Sequence, residues 1–139
     1  MRRALLVLAA ASALALAGTA AAGGWATVQL SSTPRGLSAG EPWIVDVTVL
    51  QHGRTPLDGL KPTLTIRKSS SRTASGGFKG RLTTRTFVAR PAGKPGVYRV
   101  RVVFPTAGTW RYEVYDGFVQ YGGARTHRYA PVTIARVAD

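Results

Sequence analysis

The chain is 139 residues long and carries 19 Lys and Arg against 6 Asp and Glu, a formal charge of +13. One domain is the expectation at this length. There is no Cys and the single Met is the initiator. These absences exclude a disulfide framework, a thiolate metal site, a cysteine nucleophile, a Cys-linked lipid anchor and thioether copper ligation.

The first 22 residues have the three parts of a secretory signal peptide. Met1-Arg2-Arg3 is a positive start, Ala4 to Ala17 is an apolar run, and Ala20-Ala21-Ala22 places small residues before a cut at Gly23. A core helix would show a polar face, and this run has only Ser12. A membrane anchor needs roughly 20 apolar residues, and Gly18 and Thr19 interrupt the run first. The expected organisation is a signal peptide at 1–22 and one exported domain at 23–139, with an uncleaved N-terminal anchor as the alternative. Cleavage leaves 117 residues with 17 basic and 6 acidic side chains, a charge of +11. Export moves the expected partners of that charge away from nucleic acid and towards the cell envelope.

Beyond residue 22 no helical period is found, and apolar residues alternate in short blocks separated by Gly and Pro turns. Residues 25–30 place Ala26, Val28 and Leu30 on one face, and residues 43–50 place Trp43, Val45, Val47 and Val49 inward. The β-branched content of the second block disfavours helix. Residues 51–62 are a longer connection, and a third strand at 63–67 turns Leu64 and Ile66 inward. Residues 69–80 read as a polar loop in which Phe78 is the one large apolar side chain. A fourth strand follows at 81–89, with Leu82 and Val88 on one face and Phe87 on the other. At 96–104 the residues Tyr98, Val100, Val102 and Phe104 form one face and Arg99 and Arg101 the opposite one. Residues 109–114 turn Trp110, Tyr112 and Val114 inward, with Arg111 and Glu113 outward. Residues 117–128 read as loop, and Val132 and Ile134 close a seventh strand. The fold expected is all-β, an immunoglobulin-like antiparallel β-sandwich of about seven strands, with a small barrel as the alternative. Without a core disulfide, Trp43 and Trp110 have to fill the centre, and their indole N–H groups need partners.

The string G-V-Y-R-V-R-V-V-F-P-T-A-G-T-W-R-Y-E-V at 96–114 resembles the hairpin of bacterial extracytoplasmic immunoglobulin-like domains of the YtkA-like and FixH-like kind. Leu37 to Pro42 is similar to that family's "aGeP" lead-in to the second strand. Gln51-His52-Gly53 through Thr55 to Leu60 is similar to its next connection, and Pro131 to Ile134 to its last strand. The resemblance spans about residues 25–135 and implies an exported accessory module, sometimes linked to respiratory or copper-handling membrane proteins. Related copper-binding sandwiches use His, Met or Cys ligands; here only His52 and His127 are present, 75 positions apart on different loops.

Catalytic constellations are missing from the sequence: the Gly-x-Ser-x-Gly string at Gly36 to Gly40 lies in the 34–42 turn without the strand-to-helix context of a nucleophile elbow, and there is no local Ser/His/Asp grouping and no paired carboxylates. The glycine loops lack the strand-to-helix context of a phosphate cradle. The expectation is a non-catalytic accessory or binding domain without a cofactor. Its partner would be a membrane protein complex or the anionic envelope, not a nucleic acid or a small-molecule substrate. The alternative is copper binding or delivery through His52 and His127, joined by Asp58 or Asp116. If the fourth and fifth strands pair, Arg81, Arg85, Arg99 and Arg101 share an outward face, with Phe87 placed for cation–π contact. That face is the candidate electrostatic binding surface; an ordinary solvated face is the other reading.

Overall fold

The computed structural model describes residues 25–68 and 82–138. The segment read as a signal peptide, the polar stretch with Phe78, and Arg81 lie outside the described residues. Among the described residues ten strands follow one another: β1 (Ala26–Leu30), β2 (Pro42–Gln51), β3 (Thr55–Pro56), β4 (Thr63–Lys68), β5 (Thr84–Val88), β6 (Arg90–Pro91), β7 (Val97–Val103), β8 (Gly108–Tyr115), β9 (Thr126–Arg128) and β10 (Val132–Ile134). They build two antiparallel sheets, one ordered β1-β2-β7-β6 with β3 paired to β2, the other β10-β8-β4-β5 with β9 paired to β8. The sheets pack face to face as a β-sandwich. All seven expected strands are present; β3, β6 and β9 are short additional pieces within stretches read as connections.

The alternation in each strand decides which side is buried, because successive side chains leave opposite faces of the sheet. Val45, Val47 and Val49 of β2, Leu64 and Ile66 of β4, Tyr98, Val100 and Val102 of β7, and Trp110 and Val114 of β8 are all at most 1% exposed. Trp43 meets Tyr112 edge-on at 5.7 Å and Phe104 meets Trp110 edge-on at 5.7 Å, both across the gap between the sheets. The buried indoles are satisfied: Trp43 Nε1 donates to Ser32 Oγ and Trp110 Nε1 to the Thr106 carbonyl, each at 2.8 Å.

Three sequence-based expectations change. Residues 96–114 are not a hairpin: β7 pairs with β2 and β6, whereas β8 pairs with β4, β9 and β10. Pro105 to Ala107 carries the chain from one sheet to the other, so the two bulky rows face each other across the core. The fourth and fifth expected strands do not pair either, since β5 joins β4 in the second sheet. Within β5 the parity is the reverse of that expected, with Phe87 opposite Leu64 and packed against the core while Leu82 and Val88 are exposed. Among the described residues β5 pairs with β4 alone, and Phe87 is its side chain packed against the core.

Chain connections tie both sides of the sandwich. Ala89, buried and bonded through its N–H to the Pro62 carbonyl, is the one residue between β5 of the second sheet and β6 of the first. On the other side Ala39 N–H donates to the Ala135 carbonyl and Ala135 N–H to the Leu37 carbonyl, both at 2.9 Å. At one end a clasp forms around Gly96 and Tyr98. The Tyr98 hydroxyl donates to the Leu57 carbonyl and accepts from Leu60 N–H, while Asp58 Oδ1 accepts from Gly96 N–H at 2.7 Å. Gly96 sits at φ +71°, and a Cβ there would meet the Val49 carbonyl oxygen and Pro56 at 2.9 Å.

Tyr98→Phe strands both backbone groups of the 57–60 loop, and chemical denaturation is expected to show a loss of about 1–3 kcal/mol. Gly96→Ala adds left-handed strain and a backbone clash, and the same measurement is expected to show a loss above about 1 kcal/mol. Wild-type stability in either variant would mean that the clasp contributes nothing.

Candidate functional site: two basic surfaces

Inward burial of Tyr98, Val100 and Val102 sends Arg99 and Arg101 outward. Antiparallel register sets Asp46 and Arg90 on either side of Arg99, and Ile44 beside Arg101. Arg99 grips Asp46 with two bonds, Nε to Oδ1 at 2.8 Å and Nη2 to Oδ2 at 3.1 Å. Hydrogen bonding to Arg99, with its charge and that of Lys94 adding to it, holds the Asp46 carboxyl below its usual range. Where β5 crosses to β6 an open groove forms, lined by Ile44, Thr86, Phe87, Val88, Arg90, Arg99 and Arg101. Ile44 and Val88 are each 58% exposed, so the groove combines apolar and cationic surface.

Of the four arginines marked in the sequence, Arg99 and Arg101 therefore share a surface. Arg85 stands opposite Ile66 in the second sheet, on the side of β5 that carries Phe87, and does not line this groove. Arg81 is outside the described residues. Sequence reasoning missed Arg90, because a two-residue strand beyond a sheet crossing leaves no periodic signal.

A second basic surface lies on the outer face of the other sheet. Arg67 of β4 is directly opposite Arg111 of β8, and Glu113 of β8 is opposite Arg128 of β9. Glu113 bridges two guanidinium groups, Arg67 Nη2 at 3.0 Å and Arg128 Nε at 3.5 Å. Between β9 and β10 the chain bulges at Tyr129 to Pro131. A cavity of 280 Å³ forms there, lined by the three arginines, Glu113, Thr65, Tyr112, Tyr129 and Pro131. The Tyr129 ring stacks on Tyr112 with centroids 5.1 Å apart. Its hydroxyl is buried without a hydrogen-bond partner among the described residues. Burial, with the neighbouring Tyr112 adding to it, pushes the Tyr129 hydroxyl up to about 12.

The histidines take separate places. His52 and Gly53, at φ +51° and +69°, form the two-residue turn closed by Arg54 N–H on the Gln51 carbonyl. With Arg54 they make the three-residue link between β2 and β3, in which Gln51 is opposite Thr55, and the imidazole lies against Trp25 with centroids 5.2 Å apart. His127 on β9 puts Nε2 2.9 Å from Asp116 Oδ2, while Asp116 Oδ1 accepts from Phe118 N–H and Arg125 N–H. Asp116 is 1% exposed and clips the ends of the 117–125 loop together. Asp58, the other carboxylate considered as a ligand, is bonded to Gly96. No group of three or more His, Cys, Asp or Glu that could hold a metal ion occurs among the described residues.

No protein-family model matches the chain, and no curated protein matches it.

Because the Tyr129 hydroxyl is desolvated without a bond in return, Tyr129→Phe is expected to leave stability unchanged or raise it by about 1 kcal/mol. A loss above that would reveal a hydrogen bond to the hydroxyl. Burial raises the hydroxyls of Tyr98 and Tyr112 as well. A raised folded value favours the protonated state, so this contribution is present below pH 10 and is lost as pH rises through the folded values. Spectrophotometric titration is expected to show Tyr129 ionising near pH 12, with loss of stability from about pH 10 upward.

Proposed function

We propose that the chain is an exported, non-catalytic accessory domain that contacts a membrane protein complex or the anionic cell envelope. The groove between Ile44, Val88, Arg90 and Arg101 is its contact surface. The observation that carries this reading is the groove itself, where exposed aliphatic side chains lie among guanidinium groups at a rim of the sandwich. Arg90 and Arg101 make no ion pair among the described residues. Such a surface suits an acidic partner or an anionic headgroup layer, with charge steering the encounter and apolar contact retaining it. The N-terminal segment and the resemblance at 96–114 support export.

The placement of the acids supports a non-catalytic role. Glu41 accepts from Ser38 N–H, Asp58 from Gly96 N–H and Asp116 from three donors, while Asp46 and Glu113 are held by arginines. All five described carboxylates thus have structural partners. General acid–base work calls for a carboxyl within reach of substrate and tuned to the task.

The test uses the exported protein, as recovered from the envelope or medium of an expressing host. Binding to vesicles containing phosphatidylglycerol is expected to fall steeply between low and physiological salt, and neutral vesicles are expected not to bind. Arg90→Glu/Arg101→Glu is expected to lower the anionic binding at least tenfold. Binding that ignores salt, or that survives the double substitution unchanged, would refute the groove as contact surface.

A further inference from the structure

We infer that the cavity between β4, β8 and the Tyr129–Pro131 bulge is a binding site for a phosphate dianion, free or as a monoester. The inference does not depend on the groove described above, which lies on the outer face of the other sheet and its adjoining edge.

The charge of the lining sets the valence of the ligand. Three guanidinium groups and one carboxylate line the cavity, leaving two positive charges uncompensated among the described residues. Glu113 uses one oxygen for Arg67 and the other for Arg128, and Arg111 has no ion-pair partner among the described residues. Arg111 nevertheless stands directly opposite Arg67, and like charges so placed are destabilising; Glu113 offsets Arg67 and leaves Arg111 without a counter-charge among the described residues. A phosphate monoester near neutral pH carries ≈ −1.5 to −2, which matches the deficit. A simple carboxylate leaves one positive charge over.

The donor geometry points to the same ligand. A guanidinium offers five N–H donors in a planar fork. Glu113 engages a single nitrogen from each of Arg67 and Arg128, so it orients both forks while leaving most of their donors available. With the whole of Arg111 added, the cavity has more donors than the two oxygens of a carboxylate can take up, and a phosphate has oxygens enough for all three arginines. Glu113 is thus a positioning residue that aims the arginines. Tyr129 and Pro131 supply the apolar wall, against which the organic part of an ester would rest.

Titration calorimetry of the purified full chain at constant ionic strength tests this, with inorganic phosphate, phenyl phosphate and acetate as probes. Phosphate is expected to bind at least tenfold more tightly than acetate. Arg111→Ala is expected to weaken phosphate at least tenfold. Arg111→Lys, which keeps the charge and loses the fork, should fall between. Arg111 is exposed and in no ion pair among the described residues, so its variants are expected to melt like wild type in phosphate-free buffer. Phosphate should raise the melting temperature of wild type and not of Arg111→Ala. Arg101→Ala, on the other sheet, should leave phosphate binding as it was. Tighter binding of phenyl phosphate than of inorganic phosphate assigns the site to esters, and equal binding assigns it to the free ion. Acetate binding as tightly as phosphate, no binding of either phosphate probe, or phosphate affinity untouched by Arg111→Ala would overturn the inference.

Discussion

Two edge-on aromatic contacts, Trp43 on Tyr112 and Phe104 on Trp110, hold a sandwich that has no cysteine to cross-link its sheets. Other features follow from the need to bury two indoles. Each indole brings an N–H that must be satisfied in the interior, and each is satisfied from a connecting segment. Ser32 beyond β1 serves Trp43, and the Thr106 carbonyl in the 105–107 crossing serves Trp110. The connections are thereby held by the same residues that fill the core. Edge-on rings of this size contribute burial as well as orientation, so the aromatic contacts fix how the sheets sit as well as how strongly they adhere.

The surface charge arises largely by subtraction. Among the five described acids, Glu41, Asp58 and Asp116 are spent on backbone N–H groups that shape loops, and only Asp46 and Glu113 pair with arginine. A carboxylate serving as a loop clip is unavailable as a counter-ion. The arginines projecting from the outer faces are therefore left in local excess where register brings them together. The first sheet gathers Arg90, Arg99 and Arg101 around one acid, and the second gathers Arg67, Arg111 and Arg128 around another.

Inward rows were legible in the sequence because alternation has a period of two and each sheet buries a single face. Val45-Val47-Val49, Tyr98-Val100-Val102 and Trp110-Tyr112-Val114 all lie inside as their spacing indicates. Pairing was not legible. A turn such as Pro105-Thr106-Ala107 can close a hairpin or cross between sheets, and local chemistry does not distinguish the two. The arginine surfaces inherit that ambiguity. That Arg99 and Arg101 share a side follows from parity within one strand. That Arg67 faces Arg111, or that Arg90 stands beside Arg99, depends on register between strands distant in the chain. That Asp116 is buried and holds both ends of the 117–125 loop was not legible either, because its bonds to Phe118 N–H and Arg125 N–H depend on how that loop returns.

The crossing at Ala89 has a consequence for encounters between copies of the molecule. An exposed sheet margin can recruit a foreign strand and seed fibrillar stacking, and the hazard grows with the length of unpaired backbone. Among the described residues that margin is divided between β5, five residues long, and β6, two residues long and ending in a proline that has no N–H to offer. Arg85 and Arg90 add like charge to the two pieces, so that two such rims brought together repel before they can register. The same short excursion that shapes the groove makes this side of the molecule a poor template for self-assembly.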